Sequence, residues 1–118
     1  MVGLCLKVLA FEDSVDIESL LNSGGIDTSK LEIKQCWNSS MYLEIINNYK
    51  PEILLLDHYM PPTKGLVVLR GLLQSDLQRP RIIVAMSSAS IANNAMVESG
   101  ADFGITKFNL PELEFWPR

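Results

Sequence analysis

Apolar and polar residues alternate along the chain in blocks whose lengths and periods predict five strands separated by helices. Leu6-Lys7-Val8-Leu9-Ala10-Phe11 is a short, β-compatible apolar run closed by Glu12-Asp13-Ser14, which reads as a strand followed by a loop and a helix cap. Asp16 and Glu18 fall in the first turn of the next helix, where the helix dipole favours acids, and Gly24-Gly25 stops it after Leu20 and Leu21. Over residues 31–37 polar and apolar positions interleave, as on an edge strand with one wetter face. Tyr42, Ile45, Ile46 and Tyr49 then recur at i, i+3, i+4 and i+7 behind Ser39 and Ser40, a helical stripe that Pro51 terminates.

The second half repeats the alternation. Ile53-Leu54-Leu55-Leu56 is continuously apolar, the pattern of a central strand covered on both faces, and it ends on Asp57. Pro61-Pro62 and Lys64-Gly65 mark a turn, after which Leu66, Leu69, Leu72 and Leu73 form a third helical stripe. Residues 82–86 make a fourth strand ending on Ser87-Ser88, and Ile91, Ala92, Ala95, Met96 and Ser99 line a helix stopped by Gly100. A fifth strand over residues 103–106 ends on Lys107, and Asn109 is placed to cap a last helix of about two turns. Strands alternating with helices imply parallel βαβ units with right-handed crossovers, hence an α/β domain with helices on both faces of one five-stranded sheet.

Composition sharpens this picture mainly by exclusion. At 118 residues, 47% apolar and 20% charged, the chain has the size and make-up of one globular domain over residues 1–118. A formal charge of −4 argues against direct contact with nucleic acid, which needs a basic face. The longest apolar runs are a handful of residues, far below the roughly 20 that span a bilayer. Nor does the N-terminus have the pattern of a secretory signal, so a cytoplasmic location with no membrane contact is the expectation. Two cysteines and one histidine make neither a disulfide framework nor a zinc cluster, and Cys5 and Cys36 read as reduced.

In open α/β sheets, ligands bind outside the carboxyl ends of the strands. Glu12 and Asp13 follow strand one there, Asp57 follows strand three, Ser87 strand four and Lys107 strand five. Carboxylates gathered at one rim repel one another unless a cation lies between them, and hard oxygen donors with a minimal protein cage suit magnesium better than zinc. A lysine and a hydroxyl on the same rim suit the remaining oxygens of an anion. The physical reading is a divalent cation with phosphate chemistry.

With these residues in place the chain resembles the receiver domains of two-component response regulators over nearly its whole length. The acidic pair is Glu12-Asp13. The phosphoaccepting aspartate lies in an Asp-x-x-Met-Pro-x-x-x-Gly pattern running from Asp57 through Met60-Pro61 to Gly65, the hydroxyl residue is Ser87, and Lys107 follows Gly100-Ala101-Asp102. The resemblance implies a sheet of order 2-1-3-4-5 and transfer of a phosphoryl group from a histidine kinase, a phosphotransfer protein or a small donor to Asp57. It also implies Mg²⁺ held by Asp13, Asp57 and the backbone carbonyl of Tyr59, with Glu12 acting through a water. Lys107 and Ser87 would contact the phosphoryl oxygens. The product is a phosphorylation-controlled signalling module, not an enzyme acting on other molecules, that switches an output domain, a partner or a second copy through its C-terminal face.

Departures from the family pattern leave alternatives. Gly104 stands where an aromatic switch residue is usual, the stretch from Ser87 to Gly100 is short so that Ser88 competes as the hydroxyl, and the last helix is brief. A receiver-like interaction domain that works without phosphorylation is therefore the second reading. A domain cut from a longer protein, or one whose final helix a partner completes, accounts for the brief end. His58 adjoins Asp57, but neighbouring strand residues point to opposite faces, which puts it on the site's flank. A flavodoxin-like electron carrier is disfavoured because Glu12-Asp13 would repel the flavin phosphate, and a Rossmann dehydrogenase lacks its glycine-rich loop.

Overall fold

The computed structural model describes residues 5–118. Strands β1 (Leu6–Phe11), β2 (Leu31–Cys36), β3 (Ile53–Leu56), β4 (Ile82–Ala85) and β5 (Phe103–Gly104) form one parallel sheet in the order β2-β1-β3-β4-β5. Helices α1 (Ile17–Ser23), α2 (Tyr42–Tyr49), α3 (Gly65–Gln74) and α4 (Ser90–Glu98) connect them, and a 3-10 helix (Lys107–Glu112) follows β5. The alternation of the pleat sorts the central strands into two cores. Leu9, Phe11, Leu54, Leu56, Ile83 and Ala85 face Ile46 of α2, Val68, Leu69 and Leu72 of α3, and Met96 of α4. Val8, Ala10, Ile53, Leu55 and Val84 face the other way, against Ile17 and Leu21 of α1 and against Leu110 and Trp116 near the chain end. All four residues of β3 are buried, as a strand covered on both faces requires.

Several local details differ from the sequence pattern. Asp16 is itself the cap of α1, accepting the Ser19 amide at 3.0 Å, rather than a first-turn residue. Ahead of α2 the Ser39 hydroxyl donates to the Thr63 carbonyl at 2.6 Å and accepts the Thr63 amide at 2.8 Å, tying two loops together, while Met41 enters the helix in the left-handed region. The last helix, expected to start after Asn109, begins at Lys107 as a 3-10 segment with Pro111 inside it. Pro111 has no amide to give an α-helical ladder, so the tighter helix ends within two turns. The expected strand over residues 103–106 shortens to two residues because Thr106 already turns into that helix, although the Ile105 amide still reaches the Ala85 carbonyl at 2.9 Å.

The chain end nevertheless covers itself. Trp116 is buried and donates its indole N–H to the Leu110 carbonyl at 3.0 Å, and Phe115 packs between Trp116 and Phe103 at ring separations of 4.7 and 5.6 Å. Of the three aromatics near the end, Phe108 alone stands out in solvent, at 67% exposure. Among the described residues no helix is long and apolar enough to cross a membrane.

Gly65 is the tightest backbone approach next to the rim. A Cβ there would collide with the carbonyl of Asp57 and lie 2.9 Å from its carbonyl carbon and 3.0 Å from the His58 Cα. These are backbone atoms and have little room to give. Gly65→Ala should therefore cost about 2 kcal/mol or more of stability and displace Asp57. Denaturant unfolding checks this, and an unchanged midpoint would contradict it.

Candidate functional site: an acidic rim with one buried lysine

Glu12, Asp13, Asp57, Ser87 and Lys107 all lie at the carboxyl end of the sheet. Asp57 follows the last ladder residue of β3, its amide donating to the Phe11 carbonyl at 3.1 Å, so it is held between β1 and β4. Asp13, Ser14, Asp57, Tyr59, Ser87, Ser88, Ala89 and Lys107 line an open cleft of about 370 Å³. Carboxylate oxygens of Glu12, Asp13 and Asp57 lie within 4.8 Å of one another, with Glu12 and Asp57 buried and Asp13 exposed.

Glu12 anchors the loop above it. Its Oε2 accepts the Ser14 hydroxyl at 2.7 Å, the Ser14 and Val15 amides at 2.9 Å each, and the Lys107 ammonium at 3.1 Å. Gln35 of β2 fixes the same loop from below, donating to the Glu12 and Val15 carbonyls at 2.9 and 2.8 Å and accepting the Ile17 amide at 2.9 Å. Burial alone would raise the Glu12 carboxyl, but the Ser14 and Lys107 hydrogen bonds outweigh it and hold the group below its ordinary value.

Asp57 is shifted the other way. Burial pushes its carboxyl up, the Lys107 ammonium at 3.8 Å offsets part of this, and the neighbouring Glu12 and Asp13 add to it. Three carboxylates thus face one ammonium, and the charge left over is unfavourable at low dielectric. One atom records that imbalance. Glu12 Oε1 is buried and has no hydrogen-bond donor in good alignment, its one close neighbour of opposite charge being the Lys107 nitrogen at 2.9 Å, which is shared with Oε2 and Asp57. An all-oxygen donor set with surplus negative charge fits a hard divalent cation.

Ser87 is buried and its hydroxyl accepts the Ala89 amide at 3.2 Å, whereas Ser88 is exposed on the cleft wall. The Tyr59 side chain is exposed at the rim. His58 turns away from the cleft, accepting the Leu66 amide on Nδ1 at 3.3 Å with its ring edge-on to Tyr59. Lys107 reaches the rim from the first residue of the 3-10 helix and is only 6% exposed.

A family model of the response regulator receiver domain matches residues 8–114. The chain belongs to that family. Among curated relatives, the protein-glutamate methylesterase/protein-glutamine glutaminase 2 of Shewanella oneidensis is 28% identical over 98% of the chain. The chain spans only 30% of that relative's length. The signal receiver domain of a DNA-binding response regulator from Colwellia psychrerythraea has the same fold at 20% identity and a TM-score of 0.71, covering 93% of this chain and 89% of that one. A response regulator of Burkholderia pseudomallei, solved with a phosphorylated aspartic acid, calcium and citrate, is 25% identical with a TM-score of 0.68 over 86% of this receiver and 59% of that chain.

Sequence reasoning passed over three residues of this receiver's rim: Ser14 and Gln35, which organise Glu12, and Asn93, which binds the Ser87 backbone. None of the three left a signal in the sequence, and the 2% exposure of Asn93 is seen only in the fold.

Proposed function

We propose that residues 1–118 form a single receiver domain that accepts a phosphoryl group on Asp57 in a Mg²⁺-dependent reaction and thereby switches an output. The observation that carries this is the buried Asp57 carboxylate, 3.8 Å from the Lys107 ammonium and grouped with Glu12 and Asp13 at the cleft floor. An Asp57 oxygen attacks the phosphorus of a phosphohistidine or of acetyl phosphate. The new O–P bond forms as the P–N or P–O bond of the donor breaks, and the bonding pair leaves with the imidazole or the acetate. Asp13, Asp57 and the Tyr59 carbonyl would hold the cation, with Glu12 acting through a water. The bound cation supplies neutralisation of the charge that gathers on the phosphoryl oxygens. Lys107 pairs with one of those oxygens and Ser87 donates its hydroxyl to another, so most of the protein's part is positioning.

The domain modifies itself and is not an enzyme acting on other molecules. Its partners are a cytoplasmic histidine kinase or phosphotransfer protein and, since the chain spans under a third of its enzyme relatives, an output domain or a partner facing the C-terminal side. Incubation with acetyl phosphate and Mg²⁺ should add one phosphoryl group to the intact mass, and chelation of the metal should prevent it. No gain under either condition would favour the interaction domain that works without phosphorylation.

Asp13→Ala tests the metal assignment. The exposed carboxylate is the one most open to the cleft, so its loss should weaken Mg²⁺ binding about tenfold or more while leaving stability nearly unchanged. Calorimetric titration checks this, and equal affinities would contradict it.

A further inference from the structure

We propose that Asn93 is a positioning residue for the phosphoryl site, and that it takes over in this receiver the relay that Gly104 has no side chain to perform. The inference rests on the phosphoacceptor reading of Asp57 and deepens it.

Asn93 lies in α4, 2% exposed, and its side-chain amide closes a two-point pair with the backbone N–H and C=O of one rim residue. Its Oδ1 accepts the Ser87 amide at 2.8 Å, and its Nδ2 donates to the Ser87 carbonyl at 2.9 Å. The second Nδ2 proton goes to the Ile105 carbonyl at 3.0 Å. One amide thus holds the residue that carries the site hydroxyl and, two residues before Lys107, the link from β5 to the 3-10 helix that carries the ammonium. The orientation is determined, because a flipped amide would set its NH₂ against an N–H and its oxygen against two carbonyls. Other side chains break the set. Aspartate would put a carboxylate against both carbonyls, and leucine would leave three buried backbone groups unpaired.

Gly104 leaves room for α4 to lie close against β5. A Cβ at that position would lie 3.3 Å from the Asn93 Cβ, 3.4 Å from its carbonyl oxygen and 3.0 Å from Val97 Cγ2. The residue that removes a rotating ring from β5 therefore also lets α4 settle close enough to clamp both strand ends. A phosphoryl oxygen that draws Ser87 towards Asp57 pulls on a backbone whose N–H and C=O are both bonded to α4 through Asn93. Differential contact of this kind is what couples a modification to a shift in an element.

Asn93→Ala removes the clamp, and Gly104→Ala keeps every hydrogen-bonding group while pressing α4 away from β5. Each variant and the parent are treated with acetyl phosphate and Mg²⁺, and separately with beryllofluoride under hydrogen exchange. In the parent, beryllofluoride should change exchange across residues 90–98 of α4. In Asn93→Ala the labelling rate should fall about tenfold or more, Mg²⁺ affinity should stay within about twofold, and the exchange response of α4 should vanish. Gly104→Ala should change the same two quantities in the same direction by less, which keeps the test decisive if Asn93→Ala does not fold. A parent-like labelling rate, or a parent-like α4 response, in a folded Asn93→Ala variant overturns the role of Asn93 alone. A parent that takes no label overturns the phosphoacceptor reading and this inference with it.

Discussion

Asp57→Asn is expected to eliminate phosphoryl labelling and, in the same protein, to raise stability at neutral pH. Asparagine lacks the nucleophilic oxygen, so the loss of label should be complete. The stability gain follows from the charge balance at the rim. Burial, with Glu12 and Asp13 nearby, holds the Asp57 carboxyl above its ordinary value of 3.8 despite Lys107. A folded-state pKa above the unfolded one means that the fold binds the proton more tightly. This contribution to stability is fully present below pH 3.8 and is lost as the pH rises through the folded value. The neutral amide removes that loss. A gain of about 1 kcal/mol moves the thermal midpoint of a domain of this size by roughly 4 °C. The difference between parent and variant should disappear in acid, and Mg²⁺ should raise the midpoint of the parent but not of the variant. A variant that is less stable than the parent at pH 7 would mean that the rim is not short of positive charge.

Lys107→Met is expected to be the most destabilising single change at the rim. The ammonium lies 2.9 and 3.1 Å from the two Glu12 oxygens and 3.8 Å from Asp57, and all three groups are buried. Breaking a buried pair by removing one partner costs about 3–5 kcal/mol, because the other charge is left uncompensated. The Ser14 and Val15 donors still hold Glu12 Oε2, which places the cost near the lower end, about 3 kcal/mol or roughly 10 °C in thermal midpoint. The sign with pH is opposite to that of Asp57. Burial raises the Glu12 carboxyl, but Ser14 and Lys107 together hold it below 4.5, so its contribution is present above pH 4.5 and is lost as the pH falls through the folded value. In Lys107→Met that acid-side loss should shrink. Combining it with Glu12→Gln, which removes the stranded charge, should restore more than half of the stability. Thermal unfolding of the parent, both single variants and the double variant checks this. A double variant no more stable than Lys107→Met would show that the pair does not act as a unit. Labelling of Asp57 should slow in Lys107→Met while Mg²⁺ binding persists, since the ammonium contributes most once the phosphoryl group has arrived.

The sheet was legible where burial is continuous and the rim where chemistry follows a strand. Ile53-Leu54-Leu55-Leu56 carries no polar residue, so its place at the centre and the exit on Asp57 follow from pattern alone. The positions of Glu12, Ser87 and Lys107 follow in the same way from the ends of their apolar runs. What was not legible depends on partners distant in the chain. Ser39 stands just ahead of a helical stripe, and nothing local shows that its hydroxyl is occupied by Thr63, 24 positions on. The terminal helix is set by Pro111 and by the burial of Trp116 against the sheet, which local propensity does not contain. Gly104 reads as a missing ring until α4 is seen lying against it, and only then does Asn93 acquire a use. Gln35 is one polar residue among several on an edge strand, and nothing in its spacing marks it as the support of the Glu12 loop.

The central claim is that Asp57, and no other residue, takes the phosphoryl group. The parent protein is labelled with acetyl phosphate in Mg²⁺, the acyl phosphate is trapped by borohydride reduction, and the peptides are sequenced by mass spectrometry. Reduction at residue 57 alone, abolished when the metal is chelated, is the expected result; reduction at Asp13, Glu12 or any other carboxylate with residue 57 intact would contradict it.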